Sequence, residues 1–155
     1  MRFSTLTITL ATATLTAARI IGIAAPATLG VNSTFPLTLI TEDYIQAVYD
    51  VSVAWGFSAA PGHLYSLGED TQSAYLGPSK SNILTNITID AKTPENLDSL
   101  GGKPEKVVLA ASLFSLYGVS QGPTVANFNI TVNVGSVTGG PIVRSDDFVW
   151  GTGQC

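Results

Sequence analysis

The sequence predicts an all-β domain, and three observations support that prediction. Apolar and polar residues alternate with a period of two in several short segments, which is typical of half-buried antiparallel strands. Turn residues such as Ala60-Pro61-Gly62 and Gly122-Pro123 separate these segments. No segment repeats its apolar residues convincingly at helical spacing. Strands of this length and spacing indicate a single antiparallel β-sandwich of immunoglobulin-like type with six to seven strands.

The alternating segments follow one another along the chain, each with one apolar and one polar face. The predicted strands of this kind span 34–39, 50–57, 82–90 and 127–134. Residues 19–24 are expected to form a short opening strand, and residues 73–76 are a further candidate strand. Residues 48–57 have enough apolar content for a helix, but their β-branched and aromatic side chains and their period of two favour a strand.

Two strands carry further information about the sheet. Pro36 cannot donate to a ladder, so its strand is expected at an edge or with a bulge. Residues 107–117 are nearly continuously apolar, which suits a central strand buried on both sides. The strand phases predict a set of buried core residues, namely Val53, Trp55, Phe114, Ile130 and Val132.

Two segments do not fit the strand pattern. Residues 58–72 are predicted to form a long loop, and long loops in compact domains often carry binding residues. Residues 135–155 are rich in glycine and polar residues, with one short apolar plug at 148–150. Because so few apolar groups do not offset the entropy of ordering the chain, we expect a flexible tail at 138–155, removable without loss of fold. The β-sandwich domain is then expected at 19–137.

Residues 1–18 are predicted to be a secretory signal peptide. Arg2 supplies the positive charge, residues 3–15 form a short apolar stretch, and small residues at 16–18 offer a cleavage site. The stretch is too short and too rich in threonine for a bilayer span, which needs about 20 apolar residues. An amphipathic helix is the alternative, but there is no apolar stripe at helical spacing. We therefore expect an exported, extracellular protein.

Composition and charge exclude several classes of partner. The formal net charge is −4 and the cations are scattered without a basic run, so neither nucleic acid nor an anionic membrane surface is expected. The C-terminus carries no lipid-anchor signal. The single cysteine, Cys155, rules out an intramolecular disulfide, so its thiol is either a spectator or an intermolecular link. We favour the spectator, and a monomer.

The sequence offers no catalytic constellation, so we expect a protein without enzymatic activity. His63 is the only histidine, and its surroundings carry no nucleophile elbow. Acidic pairs such as Glu42-Asp43 are adjacent in sequence, and adjacent strand residues point to opposite faces. No cluster of cysteine and histidine or calcium-loop spacing is present. We expect no catalytic residues, no metal and no cofactor.

Modification sites give a firmer signal in an exported chain. Three sequons for N-glycosylation begin at Asn32, Asn86 and Asn129. Chance is the alternative, because the sequence is rich in threonine and asparagine. The strand phase argues against chance at Asn86 and Asn129, which fall on polar faces, and Asn32 lies in a predicted turn.

Several strings in this sequence resemble one known family, and they occur in the same order over most of the chain. They are ARIIGIAAP at 18–26, DYIQAVYDVSVAWGF at 43–57, YLGPSKSNILTNIT at 75–88, ASLFSLYG at 111–118 and NFNITVNVG at 127–135. The family is that of the necrosis-inducing secreted proteins, effectors of plant-associated fungi. Residues 139–155 lie outside these strings, so no role in cell death is carried over to them.

The resemblance implies a small non-enzymatic effector. Family members are similar in suppressing pattern-triggered immunity by binding receptor-like or receptor-associated plant kinases, and some provoke cell death. The resemblance offers no catalytic residues to transfer. It leaves open which plant protein is bound and whether the chain enters host cells.

Exposed aromatic residues are the candidate partner contacts, because tyrosine and tryptophan concentrate binding energy. Tyr44, Tyr65, Tyr75 and Trp150 lie in predicted loops or at strand ends, where filling the rim of the core is the alternative role. A secreted carbohydrate-binding or cell-wall-binding β-sandwich module is the second interpretation, since such domains also present exposed aromatics.

Overall fold

The computed structural model describes residues 17–145 and 149–151, and this part of the chain is all-β, as the sequence predicts. It contains nine strands and one short 3₁₀ turn at Pro78–Lys80. The strands are β1 (Ala17–Gly30), β2 (Thr34–Tyr44), β3 (Val48–Ala59), β4 (Glu69–Tyr75), β5 (Ile87–Lys92), β6 (Lys106–Tyr117), β7 (Gly122–Gly135), β8 (Gly139–Arg144) and β9 (Val149–Gly151). Most of the predicted signal peptide lies outside the described residues, and Ala17 and Ala18 begin β1.

All nine strands belong to one sheet, which curls into a nearly closed, barrel-like shape. The strand order is β4-β3-β6-β7-β1-β2-β5, with β8 paired to β1 and β9 paired to β7. The edge strands β4 and β5 approach each other, because the Gln72 carboxamide on β4 bonds to the main chain of Lys92 on β5. The aromatic rings of Phe35 on β2 and Phe57 on β3 meet edge to face in the interior, 6.2 Å apart.

The first strand changes partner partway along its length, and this overturns the prediction of a purely antiparallel sheet. From Ala17 to Ala24, β1 runs antiparallel to β2. From Thr28 to Gly30, it runs parallel to β7. The sequence pattern reports which residues face the core, but it does not report the direction of the neighbouring strand, so this pairing was not predictable.

The ladder between β1 and β2 ends at Ala24, which is paired with Thr38, so it never reaches Pro36. Pro36 pairs only with Asp90 of β5. The prediction of an edge strand or a bulge at Pro36 is therefore wrong, because β2 lies between β1 and β5 and the register shift in its ladder with β1 falls between Ile20 and Gly22 of β1. Pro36 is tolerated because the ladder with β1 does not extend to it, so its missing N–H leaves no bond unmade.

The segment predicted to be a flexible tail contributes two strands, so the predicted number of six to seven was too low. β8 pairs antiparallel with β1 between Ala24 and Thr28, on the side of β1 that faces away from β2 and β7, because Ala24 is also paired with β2 and Thr28 with β7. The Ser145 N–H adds a bond of 2.9 Å to the Ile23 carbonyl. The main chain of β9 pairs with residues 125–127 of β7. These strands are held mainly by main-chain hydrogen bonds. A segment with few apolar residues shows no alternation of apolar and polar residues, so the sequence did not reveal these strands.

Four of the five predicted core residues are buried, and one is not. Val53, Trp55, Ile130 and Val132 are at most 4% exposed. Phe114 is 38% exposed, because its neighbours on β6 point inward and it points outward. Residues 107–111 of β6 are buried on both faces, as predicted, but the rest of the strand is not. A continuous apolar run conceals the phase of a strand, which explains the error.

A β-bulge on β3 reverses the predicted phase at the start of that strand. The register against β6 shifts between Asp50 and Ser52, so Val51 is the extra residue and Asp50 points inward. The Asp50 carboxylate is 1% exposed and accepts a 2.6 Å bond from the Ser115 hydroxyl. The Ser81 hydroxyl accepts the Asp50 N–H at 2.9 Å.

Burial raises the pKa of Asp50 above its ordinary value of 3.8, and the hydrogen bond from Ser115 offsets part of that rise. The fold therefore disfavours the charged form of Asp50 relative to its protonated form, more than water does.

Removal of the Trp55 side chain should destabilise the domain strongly. Trp55→Ala leaves a cavity in the core and is expected to cost about 3–5 kcal/mol of unfolding free energy. The indole Nε1 is buried without a hydrogen-bond partner in the described structure, so the control Trp55→Phe loses no bond and should cost much less. Thermal melting measures both. If Trp55→Ala melts within a degree or two of the wild type, the assignment of Trp55 to the core is wrong.

Neutralising Asp50 should stabilise the domain at neutral pH. Asp50→Asn removes the buried charge and keeps a partner for Ser115, so we expect a Tm higher by roughly 2–4 °C at pH 7. The pKa of Asp50 is higher in the folded state than its ordinary value of 3.8. Protonated Asp50 therefore contributes its full stability below pH 3.8, and this contribution is lost as the pH rises through the folded-state pKa. The gain should therefore vanish as the pH falls towards 3.8. Melting curves between pH 3.5 and about 8 test this.

The matched control for that series is Asp98→Asn, because Asp98 is exposed. Its Tm should follow the wild type at every pH. If the Tm of Asp50→Asn and the Tm of the wild type change in parallel with pH, burial of the Asp50 carboxylate does not destabilise the domain.

Candidate functional site

Four of the five tyrosines gather at one end of the barrel, which we call the tyrosine end. They are Tyr44, Tyr49, Tyr75 and Tyr117. β2, β4 and β6 terminate there, and β3 begins there, so each tyrosine lies at or next to a strand end. The sequence reasoning singled out Tyr44 and Tyr75 but assigned Tyr49 and Tyr117 to strands, because it could not show that these strand ends meet.

Tyr44 belongs to a group of aromatic and charged side chains at this end. The Arg19 guanidinium lies 4.5 Å from the centre of the Tyr44 ring, a cation–π distance. Arg19 also forms an ion pair with Glu42 at 2.6 Å. Tyr117 meets Tyr44 edge to face at 5.8 Å. Tyr44 is therefore half-buried and held in place on several sides, so it presents an ordered surface.

The pKa of Tyr117 reflects its position at the rim of the core. Burial, the largest cause, and the nearby Asp50 carboxylate together raise this pKa to about 12, although Arg19 acts in the opposite direction. The phenol of Tyr117 therefore stays protonated throughout the physiological range and remains a hydrogen-bond donor.

Tyr49 and Tyr75 form a second pair on the outer surface of β3 and β4. Their hydroxyl oxygens lie 2.9 Å apart, and Tyr75 is exposed. The hydrogen bond with Tyr75 raises the pKa of Tyr49. The two phenol groups therefore form a hydrogen bond with each other at the surface.

Two loops at the tyrosine end carry fully exposed apolar residues at their tips. Ile45, in the loop after β2, is 89% exposed, and Val119, in the loop after β6, is 104% exposed. The Gly118 N–H donates to the Ala47 carbonyl at 3.0 Å, so the two loops are joined through their main chains. We call Ile45 and Val119 the paired tips. Sequence reasoning missed them, because the sequence gives no sign that these two loops are neighbours.

The loop after β3 lies at the opposite end of the barrel and holds Tyr65. It spans residues 60–68, shorter at both ends than the predicted loop 58–72, and it covers Val108 on the outer face of β6. A cavity of about 130 Å³ lies between this loop and β7, lined by His63, Tyr65 and Asn129 among others. This volume is small, since pockets for ligands usually measure about 300–1,000 Å³.

The three sequon asparagines are exposed in the structure. Asn32 lies in the turn between β1 and β2, and Asn129 projects from β7. Asn86 precedes β5, and its side-chain oxygen accepts a bond of 3.0 Å from the Thr41 N–H. A glycan joins an asparagine through its nitrogen, so this bond is compatible with glycosylation. Exposure permits the modification, which stays a prediction.

Two further residues discussed above, Trp150 and Cys155, lie wholly or partly outside the described residues. The side chain of Trp150 and all of Cys155 fall outside the described parts of the chain. Within residues 17–145, no group of three histidine, cysteine or acidic side chains is arranged to hold a metal ion. No helix in the described part is long and apolar enough to cross a membrane.

Comparisons with known proteins identify relatives over most of the chain. The model of the Nis1 family matches residues 16–133. A necrosis-inducing secreted protein 1 of Colletotrichum orbiculare is 46% identical over 139 residues, which cover 87% of this chain and 81% of the relative. A necrosis-inducing secreted protein 1 of Colletotrichum higginsianum is 43% identical over 129 residues, covering 83% of this chain and 86% of the relative.

The matched region runs from the first described residues almost to the end of β7, so it contains the tyrosine end and both paired tips. The names of both relatives describe secreted proteins, in agreement with the export predicted from residues 1–18. The extent of the family match and the level of identity confirm the resemblance found in the sequence: this chain belongs to the Nis1 family.

Proposed function

We propose that this secreted chain is a non-enzymatic fungal effector that binds a plant receptor-associated kinase through the tyrosine end. Binding would suppress pattern-triggered immunity and, in susceptible tissue, induce cell death. The relatives' names support the coarse part of this proposal, because they describe secreted proteins that induce necrosis. The kinase rests on the family resemblance. The position of the contact surface rests on the geometry of the tyrosine end.

The observation that carries the contact surface is the pair of exposed apolar tips beside ordered tyrosines. Ile45 and Val119 project from loops that are fixed to each other by a main-chain bond. Apolar side chains on a rigid support lose little entropy on binding, and aromatic residues with an arginine are typical of binding hot spots. Tyr44 directly precedes Ile45 in the chain, and its ring lies 4.5 Å from the Arg19 guanidinium.

The charge around the paired tips suggests what kind of protein surface they meet. Glu42 and Asp43 precede the Ile45 loop, and the whole chain is acidic. Arg19 is already paired with Glu42. A complementary partner surface would therefore have an apolar pocket with a basic rim.

We infer an immunoglobulin-like sandwich, in which β1, β2 and β5 form one layer and β4, β3, β6 and β7 form the other. The contact between Phe35 of β2 and Phe57 of β3 supports two facing layers. The change of partner by β1 supports a strand that joins the two layers at one edge. Such a scaffold presents loops at both ends for binding.

Carbohydrate binding remains the second candidate function, and one observation favours it. The small cavity under the 60–68 loop combines the exposed Tyr65 ring with His63 and the amides of Asn127 and Asn129. Aromatic rings and amides are the groups that usually hold a sugar. Retention on chitin, glucan or cellulose, with loss in Tyr65→Ala, would favour this function over kinase binding.

Substitution of the paired tips should weaken kinase binding without changing stability. The double variant Ile45→Ser with Val119→Ser removes two exposed apolar contacts and is expected to weaken the Kd for a plant receptor-associated kinase domain by about tenfold or more. Its Tm should match the wild type, because both side chains are exposed. Calorimetry with a panel of purified kinase domains measures the affinity.

The matched control is Leu64→Ser, because Leu64 is 83% exposed at the opposite end of the barrel. It should bind as the wild type does. If Leu64→Ser loses affinity and the tip variant keeps it, the contact surface lies on the 60–68 loop. If no kinase domain binds the wild type, the proposed partner class is wrong.

Expression in a fungal host should add glycans at the three sequons. Each sequon can be removed at its threonine by Thr34→Ala, Thr88→Ala or Thr131→Ala, which leaves the asparagine and its bonds in place. All three threonines are exposed, so the fold should be kept. Each variant should run faster on a gel by one glycan, and endoglycosidase should bring all forms to the same mass. An unchanged wild-type band after endoglycosidase would mean that the sequons are unused.

A further inference from the structure

The barrel fails to close between β4 and β5, and we call this gap the seam. β4 pairs with β3 alone and β5 pairs with β2 alone within the described chain. One side chain crosses the gap. The Gln72 Nε2 donates to the Lys92 carbonyl at 2.7 Å, and the Lys92 N–H donates to the Gln72 Oε1 at 3.3 Å.

This pair of bonds has the pattern of a missing strand. In an antiparallel ladder, one residue exchanges both its N–H and its C=O with a single residue opposite. The Gln72 carboxamide does the same towards Lys92, and a carboxamide has the same donor and acceptor as a peptide group. The side chain therefore occupies the position of one peptide unit from a neighbouring strand.

The open side of β5 continues beyond Lys92. Main-chain groups along a strand point alternately to its two sides, so Thr88 and Asp90 present their N–H and C=O to the same side as Lys92. Pro36 agrees with this alternation, because it lies opposite Asp90 and has no N–H to offer it. Thr88 and Asp90 are exposed, and no hydrogen bond to their open side is formed within the described chain.

The seam has the width and the space for one strand. Neighbouring strands lie about 4.8 Å apart, so an inserted strand needs about 9.6 Å between its two neighbours. An extended glutamine side chain plus one hydrogen bond spans a comparable distance. A cavity of about 350 Å³ opens at the Gln72 end of the seam, lined by Asp70, Gln72, Lys92 and Glu95 among others.

We propose that the seam binds one extended polypeptide segment, which adds to the open side of β5 while the Gln72 side chain moves away. Main-chain bonds to Thr88, Asp90 and Lys92 would supply the affinity, as in other cases of strand addition. This site is separate from the tyrosine end, and it does not depend on the kinase proposal.

The geometry selects the kind of segment that can enter. A strand that already belongs to a sheet has a neighbour of its own and cannot fit between two strands, which excludes an edge strand from a second copy. The occupant is therefore a linear segment without a sheet of its own. Asp70, Asp90 and Glu95 outnumber Lys92 on the exposed walls, so a segment with basic residues on its outward face fits best.

The test uses protein made in bacteria and a synthetic probe, an acetylated and amidated heptapeptide that alternates lysine with valine. Amide chemical shifts are followed by nuclear magnetic resonance during titration. We expect shifts at Thr88, Asp90, Lys92 and the Gln72 carboxamide. The probe carries no kinase sequence, so this result and the kinase result are independent.

Two variants at Asp90 separate main-chain recognition from charge. Asp90→Pro removes the outward N–H without breaking the ladder to β2, and should weaken binding by about tenfold or more. Asp90→Asn keeps that N–H and should weaken binding by no more than about threefold. Gln72→Ala removes the competing side chain and should tighten binding by up to about tenfold.

Modified probes test the proposal on the wild-type protein, where no variant can misfold. Two heptapeptides are N-methylated at alternate residues in opposite phases. The phase whose methyl groups face β5 should abolish binding, and the phase whose methyl groups face β4 should weaken it less, because the bonds to β5 supply the affinity. The proposal is overturned if both methylated probes bind like the unmodified one, or if the shifts avoid β5. It is also overturned if the same amides shift with protein concentration in the absence of probe, since a second copy would then be the occupant. If the unmodified probe does not bind at all, the proposal is also overturned, and the Gln72 side chain serves only to cover the open edge of β5.

Discussion

The need to satisfy the main chain of β1 shapes the rest of the molecule. A buried N–H or C=O without a partner is costly, so a strand that leaves one neighbour has to find another. β1 leaves β2 after Ala24 and joins β7 at Thr28. This change of partner curls the sheet. It also leaves Pro36 of β2 without a partner on the side towards β1, where its missing N–H does no harm. β8 pairs with the opposite side of β1, since Ala24 is paired with β2 and with β8 at once.

The curl brings the two outermost strands, β4 and β5, towards each other without closing the ladder between them. A sheet edge with unpaired main-chain groups is prone to unwanted pairing. The Gln72 carboxamide covers part of that edge by bonding to Lys92 in the manner of a peptide group. The same arrangement that protects the edge defines a position where a foreign segment can replace the side chain.

The β-bulge at Val51 has consequences at the tyrosine end. One extra residue turns Asp50 inward, where Ser115 and Ser81 hold its carboxylate and its main chain. Tyr117 lies near this buried charge and packs against Tyr44, which in turn stacks on Arg19. The loops that carry Ile45 and Val119 start directly from these ordered residues. Rigid support under exposed apolar tips lowers the entropic cost of binding a partner, so the proposed contact surface depends on the buried polar group beneath it.

The sequence by itself determined the class of fold, most of the core and the family. Alternation with a period of two marks a strand wherever one face is buried, which is why Val53, Trp55, Ile130 and Val132 were placed correctly. The strings around residues 43–57 and 75–88 were specific enough to identify the family that the comparisons show. Only the tertiary structure decided which strands are neighbours. Pairing depends on main-chain groups that are the same in every residue, so it leaves no periodic pattern in the sequence. This is why the sequence did not reveal β8, the parallel contact of β1, the bulge at Val51, the meeting of the Ile45 and Val119 loops or the bond from Gln72 to Lys92.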